Sequence, residues 1–517
     1  MASRLARGFM TVGGWTMASR ILGFVRDILI GAFLGSSAVA EAFLIAFSLP
    51  NMFRRFFAEG TLNVAFVPMF AKKHEGGPTE HKAALEFARD AFSGLAFILV
   101  IFSIVAQIFM PALVYAMASG FSDDGRFDLA VTYGRIAFPY ILFISLAALL
   151  SGVLNATGRF VAAAAAPVLL NVIFIAAMYL AHLGGYDIGT ALAWTVPVAG
   201  IAQVALVWVA ASRAGYRLIP RMPHMTPELK RLAIIAAPAA LAGGVTQINL
   251  LVGRQVASFY EGAVAWLYYA DRLYQLPLGV VGIAIGIVLL PELSRNLRAG
   301  ETVASREALS RAGEMSLALT IPAAVALVVI PTQLIDVLFQ RGAFTASDTG
   351  WTALATAIYG IGLPAFVLQK VLSSVYFARE NTRTPFYFAL IGMVVNAGLA
   401  IGLSYHLGFI AAAIGTTLAG WVITGLTWIG AARMGEEARF DARFWARLLR
   451  ICAASGIMGL ALWGMALALA PLFAISGLKV AALTVLVLGG IAIYAIAGQI
   501  LGAFRLSEVK SAFRRGG

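Results

Sequence analysis

Ser19-Arg20-Ile21-Leu22-Gly23-Phe24-Val25-Arg26-Asp27 stands in the middle of an otherwise apolar run, Phe9–Leu34. A run of that length crosses a bilayer as a helix. A lone arginine at mid-bilayer costs about 2.5–3.5 kcal/mol, so the charged face of this segment has to look into protein or water. Arg20 and Asp27 are seven residues apart and share a face. Arg26 points roughly a third of a turn away. Gly23 allows another backbone to approach, or a local bend. The anomaly recurs with Arg54, in a run interrupted by Pro50, and with Arg272. A cationic cavity among membrane helices implies an anionic substrate, with phosphate the natural candidate.

Composition agrees with a membrane setting. Of 517 residues, 61% are hydrophobic and 12% charged, and the mean hydropathy is +0.87. Soluble globular domains lack that balance. The fold class expected is all-α, a polytopic membrane protein of about fourteen transmembrane helices. The apolar segments are Phe9–Leu34, Val39–Ala58, Gly94–Met117, Ile136–Leu154, Ala163–Leu183, Thr190–Ala211 and Ile234–Phe259. The series continues with Ala263–Leu290, Met315–Phe339, Trp351–Phe377, Phe386–Leu407, Gly408–Ala432, Ile451–Phe473 and Val480–Phe504. Cys452 is the only cysteine, which excludes an intrachain disulfide and a cysteine-rich metal site. The five histidines lack ligand spacing, so no metal is expected. No cleavable signal peptide is expected, because the first apolar segment carries Arg20, Arg26 and Asp27.

A net charge of +13 in a soluble protein would point to nucleic acid. Here the basic residues sit in short loops, where topology explains them, and no nucleic-acid partner is expected. Alternate loops carry Lys72, Lys73 and Lys82, then Arg213 through Arg231, Arg295 through Arg311, Arg379 and Arg383, and Arg433 through Arg447. The opposite set has little beyond Arg126, Arg341 and Lys479. The positive-inside rule puts the first set and both termini in the cytoplasm.

Two short echoes suggest an internal repeat. Asn63-Val64-Ala65-Phe66-Val67-Pro68-Met69-Phe70-Ala71-Lys72 resembles Gly286-Ile287-Val288-Leu289-Leu290-Pro291-Glu292-Leu293-Ser294-Arg295, and Leu150-Ser151-Gly152-Val153 resembles Leu372-Ser373-Ser374-Val375. The separations nearly match, as expected of two pseudo-symmetric halves with a site between them. The expected domains are an N-terminal transmembrane lobe (1–225), a C-terminal lobe (226–449), and two extra helices with a short basic tail (450–517). Those last helices are either a lipid-facing appendage or the lining of a groove for a long lipid tail.

The second apolar segment holds Glu41, Pro50, Arg54, Arg55 and Glu59. Pro50 favours a break. Arg55 and Glu59 are spaced to pair along a helix, leaving Arg54 for a ligand. The eighth holds Asp271-Arg272, with Gln275 one turn on. The candidate substrate-binding residues are Arg20, Arg26, Arg54 and Arg272, and the candidate gating or orienting residues are Asp27, Glu41, Arg55, Glu59 and Asp271. For each charge taken singly, bracing of helices is the competing reading. Arg254 and Lys370, also in apolar segments, are assigned to bracing or snorkelling.

Ser19 through Asp27, Ser48-Leu49-Pro50-Asn51-Met52-Phe53-Arg54-Arg55-Phe56-Phe57-Ala58-Glu59-Gly60, Tyr268-Tyr269-Ala270-Asp271-Arg272-Leu273 and Leu290-Pro291-Glu292-Leu293-Ser294 together resemble the MurJ (MviN) lipid II flippases of the MOP exporter superfamily. The resemblance covers nearly the whole chain. It implies fourteen helices in the bacterial inner membrane and export of lipid-linked peptidoglycan precursor (lipid II) by alternating access. It places the family's cavity arginines on Arg20, Arg26, Arg54 and Arg272, and a family acidic position on Glu41. Gln275 stands where some members have Glu, which puts a carboxylate role there in doubt. It also implies a tail groove on the last two helices.

The expected partners are lipid II and membrane lipids, with cell-wall synthesis machinery as a further candidate. No cofactor is expected; the membrane potential is the expected driving force, and a coupling ion is left open. The absence of a Walker motif argues against an intrinsic ATPase. The rivals are a flippase or exporter of another lipid-linked oligosaccharide or amphiphile, a multidrug exporter, a membrane enzyme on a lipid pyrophosphate, and a scaffold. A drug exporter for cations calls for an acidic cavity. An enzyme calls for paired carboxylates, and Asp27, Glu41 and Asp271 are dispersed.

Overall fold

The computed structural model describes residues 2–54, 57, 65–74, 78–475 and 477–504, and their side chains save those of 2–11, 78–80, 237–250, 280, 283, 284, 287 and 288. Among these the regular structure is helical, with no strand. In lipid a helix satisfies its own backbone, so runs of this apolarity have no competing solution. Two compact units emerge, Met1–Ala265 with Arg341–Phe344, and Trp266–Gln340 with Thr345–Gly517.

The first part of the chain forms α1 (Ala2–Leu34), α2 (Ala38–Arg54), α3 (Val67–His74), α4 (Pro78–Ile108), α5 (Met110–Met117), α6 (Arg126–Ala137), α7 (Tyr140–Ala156), α8 (Val161–Gly184), α9 (Ile188–Arg213) and α10 (Pro227–Ser258). The remainder forms α11 (Ala263–Ala284), α12 (Leu290–Arg298), α13 (Thr302–Val329), α14 (Pro331–Phe339), α15 (Ala346–Phe377), α16 (Arg383–Leu407), α17 (Ile410–Ala432), α18 (Ala442–Ala468), α19 (Ala470–Phe473) and α20 (Lys479–Leu501).

Among the described residues, ten helical spans are long and apolar enough to cross a membrane. They overlap ten of the expected segments. The other four segments fall on α1, α2, α10 and α11. Those four helices carry Arg20, Arg26 and Asp27; Glu41 and Arg54; Arg254; and Asp271 and Arg272.

Pro50 does not break its helix. α2 runs through it to Arg54. A proline removes one backbone donor, here the one that would reach Ala46 O, and the helix continues past it. Ser48 Oγ donates to Leu44 O (2.7 Å) and Asn51 Nδ2 to Phe47 O (2.8 Å).

The sequence echo has a structural counterpart in each unit. α3 and α12 are short, each begins at an apolar residue followed by proline (Val67-Pro68, Leu290-Pro291), and each follows π-helical residues, 65–66 and 285–289. α3 packs on α7, where the echo residue Gly152 lies against Val67 and Phe66. α12 packs on α15, which carries the matching Leu372–Val375.

The last two long helices are docked on their own unit. Met458, Leu462 and Ala466 of α18 and Leu483 and Leu486 of α20 form a buried cluster with Ile330 and Val337. Tyr494 Oη donates to Ala318 O (2.7 Å), and Lys479 Nζ meets Asp336 Oδ1 (2.7 Å). Leu449, Leu460, Trp463, Leu467, Leu488 and Ile491 on these helices stay exposed, an apolar surface suited to lipid.

At the C-terminal end of α1, Ala343 N–H donates to Ala32 O (2.8 Å). Gly35 and Gly342 both have positive φ (60° and 59°), and a Cβ on either would strike a backbone carbonyl, of Ala343 and Ala32 respectively. Gly35→Ala and Gly342→Ala are each expected to lower stability by about 1–3 kcal/mol, seen as a lower Tm of the detergent-purified protein. Gly398→Ala, in open space, is the neutral comparison. Equal Tm values for all three variants would refute this account.

Candidate functional site

α1 presents its charges at two levels. Arg20 is exposed, and Ser19, beside it, accepts Asn171 Nδ2 through its backbone oxygen (3.0 Å). Two turns on, Arg26 and Asp27 are buried. Arg26 donates from Nε and Nη2 to Asp27 Oδ1 (3.0 and 2.8 Å) and from Nη1 to Asn171 Oδ1 (3.0 Å). Its guanidinium lies 5.6 Å from the ring centres of both Phe47 and Phe174, favourable for a planar cation. Gly23 faces Asn171 at ordinary contact distance, so α8 approaches α1 there through this amide. Arg26 thus ties α1, α2 and α8 together.

Glu41, fully buried on α2, is also held by protein groups. Its carboxylate accepts Arg126 Nη1 (2.8 Å) and the Val264 backbone N–H (2.9 Å). Arg126 in turn donates from Nε to Asp124 (2.7 Å) and lies 4.4 Å from the Phe121 ring centre. The hydrogen bond from Arg126 holds the Asp124 carboxyl below the usual carboxylate range. Its contribution to stability is therefore complete above that range and fades as pH falls through the depressed value.

The segment just before Arg126 grips the end of α10. Ser119 N–H donates to Gln255 Oε1 (3.1 Å) and Gly120 N–H to Ser258 Oγ (3.0 Å). A Cβ on Gly120 would meet the Ser258 carbonyl, so only glycine allows this approach.

On α11, Arg272 lies 4.3 Å from the Tyr268 ring centre, one turn back. Asp271 accepts a hydrogen bond from Gln275 Nε2. Gln275 therefore serves as a donor to the aspartate. Arg54 closes α2 and is partly exposed. Arg55 and Glu59 lie outside the described residues.

Sequence reasoning missed Arg126 and Asn171. Arg126 stands outside the apolar run, among loop charges. Asn171 is a lone amide inside Ala163–Leu183, and a buried amide in lipid needs partners; that signal was legible. Among the described residues, no group of three or more His, Cys, Asp or Glu is gathered for a metal.

The family model for lipid II flippase MurJ matches residues 30–506. The chain belongs to the MurJ family. It is 44% identical to the MurJ protein of Rhizobium meliloti over 520 aligned positions, covering 99% of this chain and 97% of that one. It is 38% identical to a lipid II flippase MurJ of Burkholderia cenocepacia, covering 76% and 77%. Among solved structures, a lipid II flippase MurJ in an inward closed conformation superposes with TM-score 0.78 at 26% identity, over 95% of this chain and 98% of that one. An inward-facing MATE transporter of the MOP superfamily shares the fold, with TM-score 0.65 at 16% identity, over 83% and 98%. The ten apolar spans and the MurJ match together make this a multi-pass membrane protein.

Proposed function

We propose that this protein flips lipid II from the cytoplasmic to the periplasmic leaflet of the bacterial inner membrane by alternating access, with both termini in the cytoplasm. The observation that carries the reading is the family match, which runs through nearly the entire chain rather than one motif. The charged helices supply its chemistry. Arg20, Arg54 and Arg272 engage the pyrophosphate, and Arg26, with Asp27 and Asn171, couples substrate arrival to helix movement. Glu41 and Asp271 orient or gate. The polyprenyl tail stays in lipid along α18 and α20, whose outward faces are apolar. The functional division follows lobes at 1–225 and 226–449, with 450–517 serving the tail.

An inside-negative potential favours outward movement of an anion by about 2.3 kcal/mol per charge per 100 mV. The reading therefore needs no cofactor and no enzymatic step, and leaves a coupling ion open. Lipid II and bilayer lipids are its molecular partners, with cell-wall synthesis machinery as a further one.

The test is complementation of cells depleted of their lipid II flippase, with periplasmic accessibility of lipid II as readout. Wild type is expected to restore growth and accessibility. Arg272→Ala, at equal membrane level, is expected to restore neither. Full rescue by Arg272→Ala would remove that arginine from the site. Failure of wild type would move the substrate to another lipid-linked oligosaccharide.

A further inference from the structure

A cavity of about 470 Å³ on the second unit lies on helices that the proposed transport site does not use. It is lined by Gly425, Trp428, Ile429, Ala432, Arg433 and Arg439. The first four recur at helical spacing and form one face of α17 over its last two turns. Gly425 opens the floor, since a Cβ there would meet nothing within 4 Å. Trp428 is fixed as a wall, stacked on Trp445 with ring centres 5.2 Å apart and planes at 21°. Ile429 is 57% exposed.

The apolar floor ends where α17, one of the apolar spans, ends at Ala432. Two guanidiniums follow. Arg439 is held in place, donating from Nε to Ala432 O (2.9 Å) and from Nη1 to Glu436 Oε1 (2.6 Å). Arg306 Nη1 meets the other oxygen of Glu436 (3.1 Å). Arg433 is exposed, and its side chain has no partner among the described residues. Two guanidiniums therefore meet one carboxylate, Arg433 adds a further positive charge to the lining, and the mouth is cationic. The neighbouring Glu437 is taken up by Arg379 (2.8 Å).

This sequence of surfaces matches an amphiphile. At acyl depth the groove is apolar and runs about 10 Å along the helix. At headgroup depth it is cationic and bordered by tryptophans, residues that favour the membrane interface. A free anion would have no use for the apolar floor, and a zwitterionic headgroup would leave the excess positive charge unmatched. We propose that this groove seats one acyl chain of an anionic glycerophospholipid, with the lipid phosphodiester on Arg433 and Arg439. The site is separate from α1, α2 and α11, and does not depend on what the protein transports.

The test uses the full-length protein in detergent, titrated with dioleoyl-phosphatidylglycerol or dioleoyl-phosphatidylcholine and read by native mass spectrometry. Wild type is expected to retain phosphatidylglycerol in preference to phosphatidylcholine. Arg433→Gln removes the uncommitted cation, and Gly425→Leu fills the floor. Each is expected to weaken phosphatidylglycerol retention about fivefold, the worth of one interfacial arginine. Unchanged Tm values would show that both variants fold. Equal retention of the two lipids by wild type, or wild-type retention by both variants, would overturn the proposal. Displacement of phosphatidylglycerol by an equimolar polyprenyl pyrophosphate would also overturn it, and would assign the groove to lipid-linked pyrophosphates.

Discussion

Arg126→Ala is expected to destabilise the protein by about 3–5 kcal/mol, the usual cost of leaving one partner of a buried ion pair uncompensated. Glu41 is fully buried, and its carboxylate accepts from Arg126 and from the backbone N–H of Val264. With Arg126 gone, one N–H remains of those two donors. Removing both charges should hurt less than removing one. The double variant Glu41→Gln/Arg126→Gln is therefore expected to recover much of the loss, giving a strong coupling in the double-mutant cycle. Thermal unfolding of detergent-purified variants measures this. A wild-type Tm for Arg126→Ala would show that the pair contributes nothing. The same substitution is expected to abolish rescue of flippase-depleted cells, because the pair joins α2 to the start of α6 and lies beside the first turn of α11.

Arg26→Lys is expected to fail nearly as badly as Arg26→Ala, although it keeps the charge. The guanidinium serves Asp27 with two nitrogens and Asn171 with a third, over two aromatic rings. An ammonium group has no planar fork to place in that geometry. The expected loss for either variant is about 3 kcal/mol, with Asn171→Leu costing less, about 1–3 kcal/mol, for the bonds it takes away. Because these residues act as one network, Arg26→Lys and Asn171→Leu should be non-additive. If Arg26 served only as a substrate contact, Arg26→Lys would lose transport with an unchanged Tm, and the bracing role assigned here would be wrong.

These two predictions mark where reading the sequence succeeds and where it stops. Arg20, Arg26, Arg54 and Arg272 stand out in the sequence because charge in an apolar span is costly enough to be informative by itself, and of these the structure shows Arg26 buried on protein partners. The contact of Asp271 with Gln275, one turn away, is local in the chain, but the sequence reading did not assign it. The partner of Glu41 was not legible: Arg126 is 85 positions distant, and nothing local marks it as different from a loop cation. Pro50 was misleading for a related reason. Whether one missing hydrogen bond ends a helix is decided by the packing around it, and α2 runs on to Arg54.

The sequence by itself determined that this chain is an all-helical membrane protein, which segments are apolar enough to span, where the costly charges lie, and the family to which it belongs. Those properties follow from transfer energies and helical periodicity, which act over one or two turns. Tertiary structure alone decided which charges are matched by protein groups. Arg26 is committed to Asp27 and Asn171, Glu41 to Arg126 and Val264, while Arg20 remains exposed. The energy of a buried charge is set by what lies within a few ångströms of it, and those neighbours come from helices far apart in the chain.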